Sequence, residues 1–294
     1  MQRVTTISEA RKACADLTGT IAFVPTMGFL HEGHLALMRE GLQRADHLVV
    51  SVFVNPTQFA PDEDLNAYPR DLQGDAEKCR ALGCDVFFAP QDHPVYADDH
   101  STRVIVDDLD SFLCGTSRPD HFCGVTTIVA KLFNIISPDI AIFGRKDLQQ
   151  LVIVQRMVRD LNFPIHVVGF PIVREDDGLA MSSRNRYLDA TQRRQATALS
   201  RGLVAAHRAY HRDQTQTCGQ LVQRARRLLE ELDGPQIDYI QCVHPQTLVP
   251  CDKARPIGPD GAVLAMAVYF GSARLIDNLR IDRPLPEGPL RSLK

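Results

Sequence analysis

The chain has 294 residues, 44% of them apolar and 23% charged, a globular composition with length for one large or two ordinary domains. A formal net charge of −3 exerts no long-range pull on polyanions, and no Lys/Arg block interleaved with aromatics marks a nucleic-acid surface. No apolar run approaches the ~20 residues of a membrane-spanning helix, the first twenty residues lack an apolar signal core, and eight scattered cysteines without a Cys-x-x-Cys pair point to reduced thiols in a cytoplasmic protein.

Short β-rich runs alternate with amphipathic stretches from about residue 20 to 174. Period and composition predict strands at Thr20–Val24, His47–Val54, Asp85–Ala89, Ile140–Gly144 and Ile165–Val173, with helices near 34–45, 71–82, 124–136 and 147–161. Alternation of this kind implies a Rossmann-like, doubly wound parallel sheet with helices on both faces. Past Asp189 the pattern changes: helices at 190–211 and 217–232 precede strands at 237–243, 263–270 and 274–281. The chain thus reads as a nucleotide-binding domain over 1–174 and a smaller α+β domain over 175–294, with a frayed tail from Pro284 to Lys294. The basic run Arg224–Arg227 reads as a solvated helix face.

In parallel sheets ligands gather beyond the carboxyl ends of the strands. Four polar loops follow predicted strands: Thr26–His34, Asn55–Phe59, Gly144–Asp147 and Glu175–Arg186. Pro25-Thr26-Met27-Gly28-Phe29-Leu30-His31-Glu32-Gly33-His34 delivers two imidazoles and two glycines to a helix start, where unpaired N–H groups and the helix dipole favour an anion such as phosphate. Taken alone, two histidines three apart read equally well as a surface turn. The spacing is one residue short of the zinc motif His-Glu-x-x-His, and neither a Walker loop nor a Gly-x-Gly-x-x-Gly fingerprint is present.

Lys146 could reach a phosphate or stand as an exposed lysine, and Met181-Ser182-Ser183-Arg184 could bind a polyphosphate or cap a helix. Gln58 and Gln150 could orient a hydroxyl or carboxylate, or simply satisfy buried backbone. Asp75 and Arg118 fit the two ends of an amino acid or a surface ion pair.

These stretches, together with Asp62–Leu65, Tyr68-Pro69-Arg70, Ser117-Arg118-Pro119, His121-Phe122, Ala130–Asn134, Gln149-Gln150, Leu179–Leu188 and Arg274–Asn278, resemble the pantoate–β-alanine ligase family. The likeness runs in order from Arg3 to Asp282. It implies a nucleotidyltransferase-type Rossmann domain with a His-x-Gly-His motif, a C-terminal lid domain and a homodimer. It also implies ATP-dependent condensation of pantoate with β-alanine through a pantoyl adenylate, with Mg²⁺ on the phosphates. The resemblance assigns Met27, Gly28, Phe29, Leu30, His31, Glu32, Gly33 and His34 to ATP, together with Gly144, Arg145, Lys146, Asp147, Val173, Met181, Ser182, Ser183 and Arg184. His34, with His31, Lys146 and Arg184, is the implied catalytic set; Gln58 and Gln150 take pantoate, and no protein metal ligand is assigned. Met181–Asn185 looks like the counterpart of the Lys-Met-Ser-Lys-Ser loop of aminoacyl-tRNA synthetases. Three positions depart from the family pattern: Arg145 for Glu, Asp120 for Gly, and Cys114 for an acidic residue. Nucleotidyl transfer to a phosphate acceptor and ATP binding without turnover are the competing readings.

Overall fold

Short apolar runs form the four central strands of a six-stranded sheet in the computed structural model, which describes residues 1–61, 63–90 and 95–293. Asp62 of the Asp62–Leu65 motif and Lys294 of the tail lie outside the described residues. The strands are β1 (Gln2–Val4), β2 (Ile21–Thr26), β3 (His47–Val52), β4 (Val86–Phe88), β5 (Ile140–Gly144) and β6 (His166–Phe170). They lie in the order β1-β4-β3-β2-β5-β6, every pair parallel. The helices along this stretch of chain are α1 (Ile7–Ala15), α2 (Glu32–Arg44), α3 (Leu72–Leu82), α4 (Cys114–Ser117), α5 (His121–Ile136) and α6 (Leu148–Asp160).

Period-two alternation along β2 sends its side chains to two separate cores. Ala22 and Val24 join Met38 of α2 and Ala76 and Cys79 of α3 on one face. Phe23 points the other way and meets Phe133 of α5 edge-on, ring centroids 6.4 Å apart. Both rings are buried, each worth roughly 1.5–3 kcal/mol of apolar burial. The sheet is therefore covered by helices on both faces, as the doubly wound reading requires. Strand order reverses between β2 and its neighbour β5, where Ala22 pairs with Ile140. A crevice at such a reversal is where this architecture binds ligands.

The chain divides into two compact units: Met1–Asp107 with Arg118–Arg145 and Ile153–Phe170, and Asp108–Ser117 with Lys146–Val152 and Pro171–Lys294. This differs from a division at residue 174 in that the segments 108–117, 146–152 and 171–174 group with the C-terminal part. The second unit contains α7 (Ala190–Ala196), α8 (Ala198–Arg212), α9 (Cys218–Glu230) and an antiparallel sheet of β7 (Gln236–Val243), β8 (Val263–Phe270) and β9 (Ala273–Arg280). Its core gathers Leu199, Leu203, Leu221, Leu229, Met266 and Phe270.

Several local expectations are corrected. Beyond the predicted elements, the first twenty residues hold β1 and α1, the helix opened by a Thr6/Glu9 capping box. The helix expected over 190–211 breaks at Thr197, whose hydroxyl bonds the Arg194 carbonyl at 2.8 Å and competes with the helical ladder. The last strand of the parallel sheet stops at Phe170, because Pro171 has no N–H to donate. The tail is not frayed through residue 293: Leu290 is buried, with Leu285 and Leu293 packed on the same core.

Candidate active site

Helix α2 begins at the sheet's reversal point, and its first turn is organised by the two histidines. His31 is the N-cap: its Nδ1 accepts the Gly33 N–H at 3.1 Å. His34, one turn in, reciprocates, its Nδ1 accepting the His31 N–H at 3.3 Å. The rings lie side by side with centroids 4.1 Å apart. An imidazole can accept only through an unprotonated nitrogen, so both rings are neutral in this arrangement and both carry their proton on Nε2. Each therefore offers an N–H donor without bringing a positive charge. A developing negative charge on a phosphoryl oxygen is stabilised by such fixed donors.

The loop leading into this helix is left-handed at Gly28 (φ 86°) and Phe29 (φ 52°). A Cβ on Gly28 would stand 2.8 Å from Val52 Cγ1 and 3.0 Å from Asp75 Oδ2, so only glycine fits. The Gly28 N–H bonds Thr26 Oγ1 at 3.2 Å, while the Phe29 and Leu30 N–H groups reach the two oxygens of Asp75, each at 2.7 Å. The amides of Gly28, Phe29, Leu30, His31 and Gly33 thus all have acceptors within the chain. Polar donation from this loop comes from its side chains more than from its main chain.

Gln58 closes the 3₁₀ turn Pro56–Gln58 after β3. It is buried, and its amide is held on both ends: Oε1 accepts from Asn55 Nδ2 at 3.1 Å, and Nε2 points at Met27 Sδ, also at 3.1 Å. Its main-chain carbonyl accepts from His121 Nδ1 at 2.7 Å. Arg118, whose guanidinium grips Glu63 with two bonds, adds a contact to His121 Nε2 at 3.1 Å. Burial raises the Glu63 carboxyl, but the Arg118 guanidinium outweighs it and holds the group below its ordinary value. Helix α5 approaches this turn so closely that a Cβ on Gly124 would fall 2.3 Å from the Thr57 carbonyl oxygen. The resemblance motifs contain Asn55 and His121, but nothing in the sequence shows that both serve Gln58.

Among the remaining expected residues, Gly144 ends β5 and Arg145 follows it, both in the first unit, and Arg145 Nε donates to the Gly169 carbonyl at 2.9 Å. Lys146, Asp147, Gln150, Val173 and Met181–Arg184 belong to the second unit. There the Lys146 ammonium stands 3.3 Å from Asp147 Oδ2, and its carbonyl accepts from Asn278 at 3.0 Å. Ser182 caps the 3₁₀ segment Ser183–Tyr187 by accepting the Arg184 N–H. The loop before it is pinned by Arg174, which grips the buried Asp277 of β9 with bonds of 2.7 and 2.8 Å. Gln149 is wholly structural: it takes the Cys114 N–H at 2.9 Å and donates to the Leu109 and Phe112 carbonyls. Gln150 is its half-buried neighbour on α6.

The departures from the family pattern resolve locally. Asp120 is left-handed at φ 63°, as a glycine there would be, and Asp tolerates that region better than most residues. The Cys114 thiol is buried 3.2 Å from the Tyr239 hydroxyl and 3.5 Å from two Arg274 nitrogens, whose charge is balanced by Asp238 at 2.6 Å.

The description "Pantoate-beta-alanine ligase" belongs to the family model matching residues 2–280. Among curated relatives, the pantothenate synthetase of Syntrophotalea carbinolica is 53% identical over 262 residues, covering 88% of this chain and 89% of that protein. That of Anaeromyxobacter dehalogenans is 51% identical over 281 residues, covering 93% and 95%. The crystal structure of pantothenate synthetase from Thermus thermophilus superposes with a TM-score of 0.89 at 43% identity, over 96% of this chain and 99% of that one. The Francisella tularensis pantoate-beta-alanine ligase, complexed with beta-gamma ATP and beta-alanine, gives 0.77 at 30% identity, over 97% and 99%. This chain belongs to the pantoate–β-alanine ligase family.

Proposed function

We infer that this chain condenses pantoate with β-alanine using ATP, releasing AMP and pyrophosphate by way of a pantoyl adenylate. A carboxylate resists attack by an amine because its carbonyl is electron-rich and oxide is a poor leaving group. The pantoate carboxylate oxygen therefore attacks the α-phosphorus of ATP in line, the bond to the bridging oxygen breaks, and pyrophosphate leaves. The β-alanine amine then attacks the activated carbonyl, loses a proton, and expels AMP.

The observation that carries the reading is the His31/His34 pair at the head of α2, two neutral imidazoles whose proton-bearing Nε2 atoms are fixed by the bonds at Nδ1. We assign His34, supported by His31, to the α-phosphoryl oxygens, and Met27–His34 with Gly144, Arg145 and Val173 to the rest of the nucleotide. Lys146, Asp147 and Met181–Arg184 are assigned to the triphosphate, with Lys146 and Arg184 neutralising the charge that passes to pyrophosphate. Gln58 and Gln150 hold pantoate; the clamp on Gln58 by Asn55 and His121 suits an orienting role.

Mg²⁺ belongs to the same reading. Among the described residues no group of three or more His, Cys, Asp or Glu is placed to hold a metal ion. Mg²⁺ generally keeps several waters and binds substrate phosphates together with one or two carboxylates. When bound it neutralises triphosphate charge. A homodimer follows from the family likeness. The ATP requirement and the eight free thiols suit the cytoplasm, and none of the described helices is long and apolar enough to cross a membrane.

The test is AMP formation by the purified chain with each substrate omitted in turn. AMP that depends on both pantoate and β-alanine is expected. Pyrophosphate without AMP points to nucleotidyl transfer, and ATP binding with neither product points to a regulator.

A further inference from the structure

The loop before α2 turns through the left-handed region at Gly28 and Phe29, and successive amides in such a turn converge to form a cradle for an anion. In phosphate-binding loops that cradle is left open for the ligand. Here a residue distant in sequence fills it: the Asp75 carboxylate, wholly buried on α3, takes the Phe29 and Leu30 N–H groups at 2.7 Å, one on each oxygen. Lys78, one turn along α3, donates to the Leu30 carbonyl at 2.9 Å and stands 3.9 Å from Asp75 Oδ1. The Leu30 peptide is therefore held from both sides, one residue before the His31 cap.

We propose that Asp75 is a positioning residue for nucleotide binding, occupying the anion cradle of Gly28-Phe29-Leu30 so that the triphosphate meets the Nε2–H donors of His31 and His34 and not the loop amides. This rests on the assignment of the loop to ATP. It also gives a place to a carboxylate that the sequence offered to the substrate amine: a group with both oxygens engaged and no exposure is not free to receive an ammonium. Burial raises the Asp75 carboxyl above its ordinary range, against the opposing pull of the Leu30 and Phe29 amides and Lys78. A buried carboxylate sustained by two amides and a lysine is a structural anion, standing where a phosphate oxygen would otherwise sit.

Asp75→Asn keeps the shape but turns one acceptor into a donor facing an amide. A buried donor left without an acceptor shifts an equilibrium by roughly tenfold or more. The expected result is a rise of that order in KM for ATP and in the Kd of a non-hydrolysable ATP analogue, with KM for pantoate within about twofold of wild type. Hydrogen exchange at the Phe29 and Leu30 amides is expected to be slow in the wild-type protein and faster in the variant. Gly28→Ala, which cannot keep the turn, is expected to reproduce the ATP effect.

A folded Asp75→Asn protein with unchanged ATP-analogue affinity overturns the proposal, as does an equal rise in the KM values of ATP and pantoate, which marks a merely structural residue. Should Asp75→Asn fail to fold, wild-type Phe29 and Leu30 amides exchanging as fast as exposed ones overturn it too. If the wild-type protein makes no AMP from the two substrates, the functional reading fails, while analogue affinity and amide exchange still decide the role of Asp75.

Discussion

His34 turns its Nδ1 back to the His31 N–H at 3.3 Å, leaving Nε2 as the atom that carries its proton. The same bond that caps the helix thus fixes which nitrogen can donate. Protonation of Nδ1 would break the cap, so helix geometry and donor identity are one property.

Loss of one such donor in a preorganised site costs on the order of 10²–10³ in rate. His34→Ala is expected to lose pantoate-dependent ATP–pyrophosphate exchange by that factor while keeping its far-ultraviolet circular dichroism. A folded variant exchanging near the wild-type rate would remove His34 from the chemistry.

Asn55 holds the Gln58 side-chain oxygen from a position only 1% exposed. Gln58→Ala is expected to raise KM for pantoate far more than KM for ATP, and Asn55→Ala to do the same to a smaller degree, because it frees the Gln58 amide without deleting it. Steady-state kinetics with each substrate varied distinguishes these from an architectural role, which shifts both equally.

Arg174 and Asp277 form a bidentate ion pair with almost no exposure of either side chain. Removing one partner strands a buried charge, at a cost of about 3–5 kcal/mol. Asp277→Ala is expected to destabilise the second unit by that amount, read by urea titration with a probe in that unit.

Asp120 occupies the left-handed region at a helix N-cap without making a side-chain cap bond. Asp120→Ala is expected to be less stable than Asp120→Gly by about 1 kcal/mol, since alanine meets the full left-handed penalty. The comparison of the two chemical denaturation midpoints checks it.

His207 on α8 is buried with its Nε2 2.7 Å from the Arg283 carbonyl. Burial lowers its basicity below the ordinary value of 6.5, against the Arg283 bond, and the neighbouring His211 and Arg208 lower it further. The folded state therefore binds this proton less readily than the unfolded state does. Its stability contribution is complete above pH 6.5 and is lost progressively as pH falls through 6.5 toward the lower folded value. His207→Gln is expected to flatten the fall in thermal midpoint over that window.

The central strands of the parallel sheet were legible because they are continuous apolar runs, a pattern that tertiary packing reinforces. The short β1 and α1 were hidden by their charged residues: only Ala10, Ala13 and Cys14 of α1 are buried, too narrow a face to stand out. In the candidate site, the histidines and glutamines could be named from loop position and family likeness. Their partners could not. Asp75 lies 45 residues from Leu30 and His121 lies 63 from Gln58, and spacing along the chain says nothing about contacts that only the fold creates. The amides of the glycine loop read as a phosphate cradle for the same reason, because the carboxylate that fills it comes from another helix.

Carboxylate-labelled [¹⁸O]pantoate, turned over with β-alanine and ATP, tests the adenylate most directly. Attack by the carboxylate on the α-phosphorus leaves one labelled oxygen on AMP, so mass spectrometry of AMP from doubly labelled pantoate is expected to show a shift of one ¹⁸O per turnover. Unlabelled AMP, or label appearing in pyrophosphate or inorganic phosphate, would contradict the account.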